Sequence, residues 1–254
     1  MNKSRIIGTG SYLPERILTN DDLAKLVETS NEWIIERTGI HQRHIAAEDE
    51  TTADIAYQCA INALNAANTS IKDIDLIVLA TTTPDNTFPS TATKVQAMLG
   101  MDHGAAFDVQ AVCSGFIYAL AIGDNFIRAG QAERVLVIGA ETFSRILDWN
   151  DRGTCVLFGD GGGAVVLEKE EGGKGILSTH LHSDGRYSDL LYADGGPSTT
   201  QSVGLVRMSG KEVFRHAVVN LASVVDEALA ANSCQRSDID WLVPHQANLR
   251  ILSS

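Results

Sequence analysis

Two stretches of this chain repeat one pattern. Ala66-Ala-Asn-Thr-Ser-Ile-Lys-Asp-Ile-Asp-Leu-Ile-Val-Leu79 and Ala230-Ala-Asn-Ser-Cys-Gln-Arg-Ser-Asp-Ile-Asp-Trp-Leu-Val243 each read Ala-Ala-Asn, a polar connector, Asp-Ile-Asp and an apolar run. Each follows an amphipathic helix. Ala56, Ala60, Ala63, Leu64 and Ala67 share a face in the first, and Phe214, Val218, Leu221, Val225 and Leu229 share one in the second. A helix, connector and strand met twice suggest a duplicated α/β domain, with chance resemblance between two αβ units as the alternative. The halves would run 1–171 and 172–254.

The order of each half is legible on that basis. Half one is predicted to hold a strand near Arg5–Gly8, a helix Asp54–Ala67, a strand Ile74–Thr81 and a helix near Thr91–Leu99. A strand leading to Cys113, a buried helix, a strand Arg134–Ala140 and a pair near Cys155–Phe158 and Ala164–Leu167 follow. Half two is predicted to open with a strand Gly175–Thr179 and a Gly/Ser/Asp-rich insertion. It continues with a helix Gly210–Ala231 and a strand Asp240–Val243. The elements that follow the matching strand in half one have no counterpart before Ser254, which leaves an unpaired apolar edge. The sequence therefore reads as one that ends early or is completed by something else. Residues 1–254 alone are expected to be poorly soluble and inactive.

Cys113 lies where a strand gives way to a helix, in Ala105-Ala-Phe-Asp-Val-Gln-Ala-Val-Cys-Ser-Gly115, ahead of a helical pattern ended by Gly130. A thiol at a helix N-terminus meets unpaired N–H groups and the positive end of the dipole, which is expected to lower its pKa. Ser114 and Gly115 leave room for a substrate carbonyl. A buried structural cysteine is the other reading of the local pattern. Cys59, Cys155 and Cys234 lack this context, no pair has C-x-x-C spacing, and no Cys/His cluster has zinc-ligand spacing. Four cysteines in a chain this long do not suit a disulfide framework.

His245 directly follows the second repeat's apolar run, in Val243-Pro-His-Gln-Ala-Asn248. In open α/β sheets ligands collect at the carboxyl ends of strands, so a His and a Cys at such ends can share a site and exchange a proton near a thioester. A capping or core histidine is the alternative. Trp33 and Arg37 sit four apart in a predicted helix with a Thr29/Glu32 capping-box spacing and a terminal Gly39. They could stack a nucleobase and pair a phosphate, or Trp33 could pack on the core with Arg37 laid over it. Gly8-Thr-Gly10 lacks the third glycine of a dinucleotide fingerprint, and Phe158-Gly-Asp-Gly-Gly-Gly163 leads into a strand. Tight backbone packing explains both better than a phosphate loop.

The formal net charge of −12 argues against a nucleic-acid surface. No secretory signal pattern opens the sequence, and Val135–Ala140 is too short to span a membrane, so the expected location is the cytoplasm.

Taken together, these residues resemble the thiolase superfamily and, within it, β-ketoacyl-acyl-carrier-protein synthase III. The segments that carry the resemblance are Gly8-Thr-Gly-Ser-Tyr-Leu-Pro14, Glu32-Trp-Ile-Ile-Glu-Arg-Thr-Gly-Ile40, Thr81-Thr-Thr-Pro84, Phe88-Pro-Ser90 and the Cys113 elbow. Asp151-Arg-Gly-Thr154, Phe158-Gly-Asp-Gly161, Thr179-His-Leu-His-Ser-Asp-Gly185 and Val243-Pro-His-Gln-Ala-Asn-Leu-Arg250 complete it in the same order. The resemblance implies a thiolase-like duplicated α/β fold in five layers, αβαβα, with its second half incomplete.

It further implies that Cys113 takes an acyl group from a short acyl-CoA such as acetyl-CoA. Malonyl-acyl-carrier protein then loses CO2 and attacks the thioester, with His245 as the catalytic histidine. Trp33 and Arg152 would sandwich the CoA adenine, and Thr29, Arg37, Gly153, Phe214 and Asn248 would line the CoA tunnel. Arg215 and Arg250 would greet the carrier protein, and Phe88 would reach into the acyl pocket of a homodimer partner. Acyl-CoA is then a substrate; no metal or resident cofactor, nucleic acid or membrane is implied. The family's catalytic Asn and a glycine-rich oxyanion segment have no counterpart in this sequence. Two further readings stay open: an inactive remnant that binds only CoA or a partner, and another thiolase-fold acyltransferase with a different starter.

Overall fold

The computed structural model describes residues 3–254. The elements run β1 (Lys3–Tyr12), β2 (Arg16–Thr19), α1 (Asn20–Leu23), α2 (Asn31–Thr38), β3 (Gln42–Ile45), α3 (Thr52–Ala66) and β4 (Leu76–Ala80). Next come α4 (Thr91–Met98), β5 (Ala105–Val109), α5 (Gly115–Arg128), β6 (Arg134–Glu141) and β7 (Gly161–Glu170). The last are β8 (Leu191–Ala193), β9 (Val206–Met208), α6 (Gly210–Ala231) and α7 (Leu249–Leu252). They form two compact units, each discontinuous in sequence. One takes the residues up to Arg16 with His44–Phe143 and Asp160–Thr179, the other Ile17–Arg43 with Ser144–Gly159 and His180–Ser254.

The first unit is built on a mixed five-stranded sheet, ordered β1-β7-β6-β4-β5. β5, β4 and β6 run parallel, while β7 is antiparallel to both β6 and β1. Alternation along the strands divides their side chains between two cores. Ile77, Leu79, Leu136 and Ile138 pack with Ala56, Ala60 and Ala63 of α3. Leu76, Val78, Val135 and Val137 pack with Ala119 and Ile127 of α5. With both faces covered, β4 is buried at every position and reads as an unbroken apolar run. Small residues let α3 lie close: a Cβ on Gly10 would stand 2.2 Å from the Ala63 nitrogen, and one on Gly162 would stand 2.9 Å from Cys59 Sγ. The glycine stretches therefore serve packing, as the sequence suggested.

The second unit has a small core of Leu23, Ile34, Cys155 and Val156, edged by Leu18, Val27, Trp33, Ile40 and Trp149. β2 pairs with β3, and β8 pairs antiparallel with β9. The Arg43 guanidinium, buried here, donates to Leu18 O, Asn20 Oδ1 and Val156 O.

The repeated connectors match closely. After α3, Asn68 takes the left-handed conformation (φ 48°), Thr69 N–H bonds Leu64 O at 3.0 Å, and Ser70 and Asp73 close a capping box. After α6, Ser233 (φ 54°), Cys234 N–H to Leu229 O at 2.9 Å, and Gln235 with Asp238 do the same. Beyond the connectors the two copies diverge. β4 is a buried strand, whereas Asp240–Val243, expected as a strand, forms none; Trp241 and Val243 are each 85% exposed. A strand needs a neighbour for its N–H and C=O groups, and none is paired with this segment. The face of α6 that matches α3 likewise has no buried residue, because no broad sheet lies under it in its unit.

Three smaller expectations also change. Gly175–Thr179 is irregular, with Ile176 N–H donating to Ser4 O of β1. Cys155–Phe158 belongs to a turn and not to a strand. Ser30, in place of Thr29, caps α2 by accepting from Trp33 N–H, while Gly39 ends that helix at φ 75° as anticipated.

Candidate active site

Three parallel strands of the first unit end side by side, with Val109 and Gly139 flanking Ala80 in register. In open α/β sheets ligands collect just beyond such strand ends. Cys113 follows β5 in a short 3-10 turn, Val112–Ser114, which leads into α5. Val112 holds φ +47°, a conformation a β-branched residue adopts only under strain. That kink lifts Cys113 off the strand line, and its side chain reaches solvent. No side chain caps the first turn of α5, so backbone N–H groups beside Cys113 have no side-chain acceptor.

The expected low thiol pKa is not found. The protein packed round the sulfur pushes Cys113 up, and the charge of Glu141 pushes it further. Desolvation is the larger cause and the carboxylate charge the smaller, and both disfavour the thiolate.

Glu141 is the residue that sequence reasoning missed. It ends β6, and its carboxylate accepts from Thr82 N–H at 2.8 Å, Thr83 N–H at 3.1 Å, Thr81 Oγ1 at 3.3 Å and Thr83 Oγ1 at 2.5 Å. Burial nonetheless raises its pKa above the usual carboxylate range. The available signal was an acid closing an apolar strand, together with the Thr81-Thr-Thr-Pro84 segment already singled out.

In the second unit Trp33, Arg37 and Arg152 come together. The guanidinium carbons of Arg37 and Arg152 lie 4.5 and 5.0 Å from the Trp33 ring centroid. Trp33 also packs on the unit's core with Arg37 laid over its ring, which is the packing reading of this pair. Arg152 donates to Glu28 O at 2.7 Å and edges a hollow of about 310 Å3 lined by Leu26, Val27, Glu28 and Asn150. Gly153 N–H bonds Asp151 Oδ1 at 2.8 Å in the same turn. The buried Thr29 hydroxyl has no hydrogen-bond partner. A larger hollow of about 740 Å3 in the first unit is lined by Tyr12, Arg16, Ala47 and the acids Glu15, Asp49, Glu50 and Asp54, so carboxylates outnumber its one guanidinium.

Asn248 caps α7, accepting from Arg250 N–H at 2.8 Å, and Arg250 faces Glu36 at 3.9 Å. Phe214 and Arg215 lie on α6, with Arg215 paired to Glu212 at 2.6 Å. His245 sits, exposed, in the irregular segment before α7, and partial desolvation shifts its pKa below the ordinary imidazole value. Cys113 belongs to the first unit and His245 to the second. Phe88, between β4 and α4, is 83% exposed. No helix among the described residues is long and apolar enough to cross a membrane.

Residues 107–185 match the family model for 3-oxoacyl-[acyl-carrier-protein (ACP)] synthase III. Over 99% of its length the chain is 70% identical to a β-ketoacyl-[acyl-carrier-protein] synthase III of Rhodospirillum centenum, covering 79% of that protein. The corresponding enzyme of Paramagnetospirillum magneticum is 67% identical over 98% of this chain and 79% of its own. The crystal structure of 3-oxoacyl-[acyl-carrier-protein] synthase III from Aquifex aeolicus superposes with a TM-score of 0.93 at 49% identity, covering 98% of this chain and 79% of that one. The chain thus has the thiolase-like α/β fold and belongs to the β-ketoacyl-[acyl-carrier-protein] synthase III family, the acyltransferases that condense the first units of fatty-acid synthesis.

Proposed function

We propose that Cys113 is the acyl acceptor of this condensing enzyme and that acetyl-CoA or another short acyl-CoA primes it. The observation that carries the reading is the strained Val112 elbow, which presents a solvent-accessible thiol where three parallel strands end. Cys113 sulfur attacks the thioester carbonyl, CoA leaves as its thiol, and the acyl-Cys is then attacked by the enolate formed when malonyl-acyl-carrier protein loses CO2. Backbone N–H groups at the start of α5 offer stabilisation to the oxyanion. His245, whose pKa desolvation shifts down and so toward the neutral ring, donates a hydrogen bond or accepts a proton at the thioester.

CoA is a substrate and not a resident cofactor in this scheme. Trp33 and Arg152 hold its adenine, with Thr29, Arg37, Gly153, Phe214 and Asn248 along the remainder of the molecule. The two guanidinia on Trp33, the unpartnered Thr29 hydroxyl and the adjoining hollow support that assignment. Arg215 and Arg250 supply charge for an acidic carrier protein. Phe88, large and exposed, suits burial in the acyl pocket of a second copy within a homodimer. The halves 1–171 and 172–254 descend from one duplicated unit, a reading that the matched connectors support. Acyl-thiol chemistry needs a reduced Cys113, which favours the cytoplasm, without nucleic-acid or membrane partners.

The test is release of labelled CO2 from malonyl-acyl-carrier protein with and without acetyl-CoA. The reading expects acetyl-CoA-dependent product that disappears in Cys113→Ala. Product formation by Cys113→Ala at the parental rate would refute it.

A further inference from the structure

Arg43 of β3 is buried in the second unit, 5% exposed, and among the described residues no carboxylate pairs with it. Its acceptors are neutral oxygens. Nη1 donates to Leu18 O at 3.2 Å, while Nη2 donates to Asn20 Oδ1 at 2.9 Å and to Val156 O at 3.1 Å. The buried Nε has no hydrogen-bond partner. Burying a cation on these terms costs free energy that an apolar side chain of similar length would not. What the guanidinium offers instead is direction, because its planar fork fixes where several acceptors stand relative to one another.

The two acceptors of Nη2 lead to the two sides of the Trp33 stack. Asn20, 1% exposed, donates from its amide to Asn31 Oδ1 at 3.1 Å and to Ile40 O at 2.8 Å. Asn31 is the first residue of α2, and Ile40 stands just past Gly39, its C-terminal cap. One amide therefore holds both ends of the helix that carries Trp33 and Arg37. On the other side, Val156 belongs to the turn that carries Arg152. That turn is tied internally: Cys155 N–H bonds Asp151 O at 3.0 Å, Leu157 N–H bonds Thr154 O at 3.0 Å, and Thr154 Oγ1 donates to Asp151 Oδ2 at 2.9 Å. A hold on Val156 is thus a hold on the backbone of Arg152. Ile34 of α2 shares one core with Cys155 and Val156, which presses helix and turn together. Apolar contact is non-directional, so the hydrogen bonds of Arg43 and Asn20 are what fix the register between them.

We propose that Arg43 is a positioning residue for CoA binding: by bridging Asn20 and Val156 through one nitrogen, it sets α2, with Trp33, against the turn that carries Arg152. This inference rests on the reading of Trp33 and Arg152 as the adenine site. Arg43 touches neither the substrate nor the reacting sulfur. It acts through the spacing of the Trp33 ring and the Arg152 guanidinium, and so on the binding of acyl-CoA and not on the transfer at Cys113.

The test is steady-state kinetics with acetyl-CoA on Arg43→Lys, with kcat expressed per folded protein. Lysine keeps the charge but replaces the fork with a single ammonium on a flexible stem, which cannot reproduce the bridge. KM for acetyl-CoA should rise severalfold at near-parental kcat. In a Trp33→Leu background the same substitution should change KM far less, because the stack that it disturbs is already gone. A parental KM, a fall in kcat at unchanged KM, or an effect of full size in the Trp33→Leu background would each overturn the proposal. If Arg43→Lys does not fold, Asn20→Asp decides. It leaves an acceptor for Arg43 but removes the two amide donors that hold α2, so it should raise KM in the same way, and an unchanged KM would overturn the proposal. Trp33→Leu alone keeps the two readings apart. A parental KM in Trp33→Leu removes the adenine site itself, whereas a raised KM there with a parental KM in Arg43→Lys removes only the role of Arg43.

Discussion

Replacing Trp33 by leucine separates binding from chemistry. Leucine keeps an apolar side chain against the Leu23, Ile34, Cys155 and Val156 core but removes the aromatic platform. In the unliganded protein the change deletes two guanidinium–ring contacts, at 4.5 and 5.0 Å. Exposed contacts of this kind contribute about 0.5–1 kcal/mol each, so the protein should remain folded. The larger effect concerns CoA. An aromatic stack on a base contributes about 1–3 kcal/mol, and at about 1.4 kcal/mol per tenfold the KM for acyl-CoA should rise roughly 5- to 150-fold. A base between Trp33 and Arg152 needs roughly two van der Waals spacings, about 7 Å in all, whereas Arg152 now stands 5.0 Å from the ring centroid. Arg152 must therefore swing aside, giving up part of its hold on Glu28 O. The net gain should lie below the upper bound for that reason. The assay is steady-state kinetics over a range of acetyl-CoA with malonyl-carrier protein saturating. Turnover at saturation should be nearly parental. A large fall in kcat at unchanged KM would refute the adenine-platform reasoning.

Native thiol titration should reach Cys113 and Cys234 and leave Cys59 and Cys155 silent until denaturant is added, because the last two are fully buried and burial pushes Cys59 up to about 12. Gly162→Ala should cost about 1–3 kcal/mol by overpacking, since the new Cβ meets Cys59 Sγ and Gly139 O at 2.9 Å; urea unfolding measures it, and an unchanged midpoint would contradict the close-packing account. Glu168, held below the usual carboxylate range chiefly by its hydrogen bond to Arg134, favours the folded state above the unfolded Glu pKa of about 4.3. That contribution is lost as pH falls through the lower folded value. Glu168→Gln should therefore be less stable than the parent near neutral pH and converge with it in acid.

The first unit was readable because its elements obey simple periodicities. The alternation of β4 and β6 between two cores and the small-residue face of α3 are local patterns with one packing solution. The connector match between Asn68 and Ser233 extended to backbone conformation because left-handed turns and capping boxes depend on short-range chemistry. The second unit departed where partners matter. Asp240–Val243 has a strand-like composition, but its ladder depends on a neighbour that composition does not encode. The Cys113 elbow was visible in sequence, yet the sign of its pKa shift was not. That sign depends chiefly on desolvation by the protein folded round the sulfur, with the charge of Glu141, 28 positions on, adding to it. Likewise Trp33 and Arg37 share a helix, but the approach of Arg152 needs the fold of the second unit.

The central claim is that Cys113 carries the acyl group. Incubation with isotopically labelled acetyl-CoA in the absence of malonyl-carrier protein, acid quench and peptide mass spectrometry test it directly. A single acetyl label should appear on the peptide containing Cys113 and vanish when malonyl-carrier protein is added. Label on Cys59, Cys155 or Cys234, or no label while condensation proceeds, would contradict it.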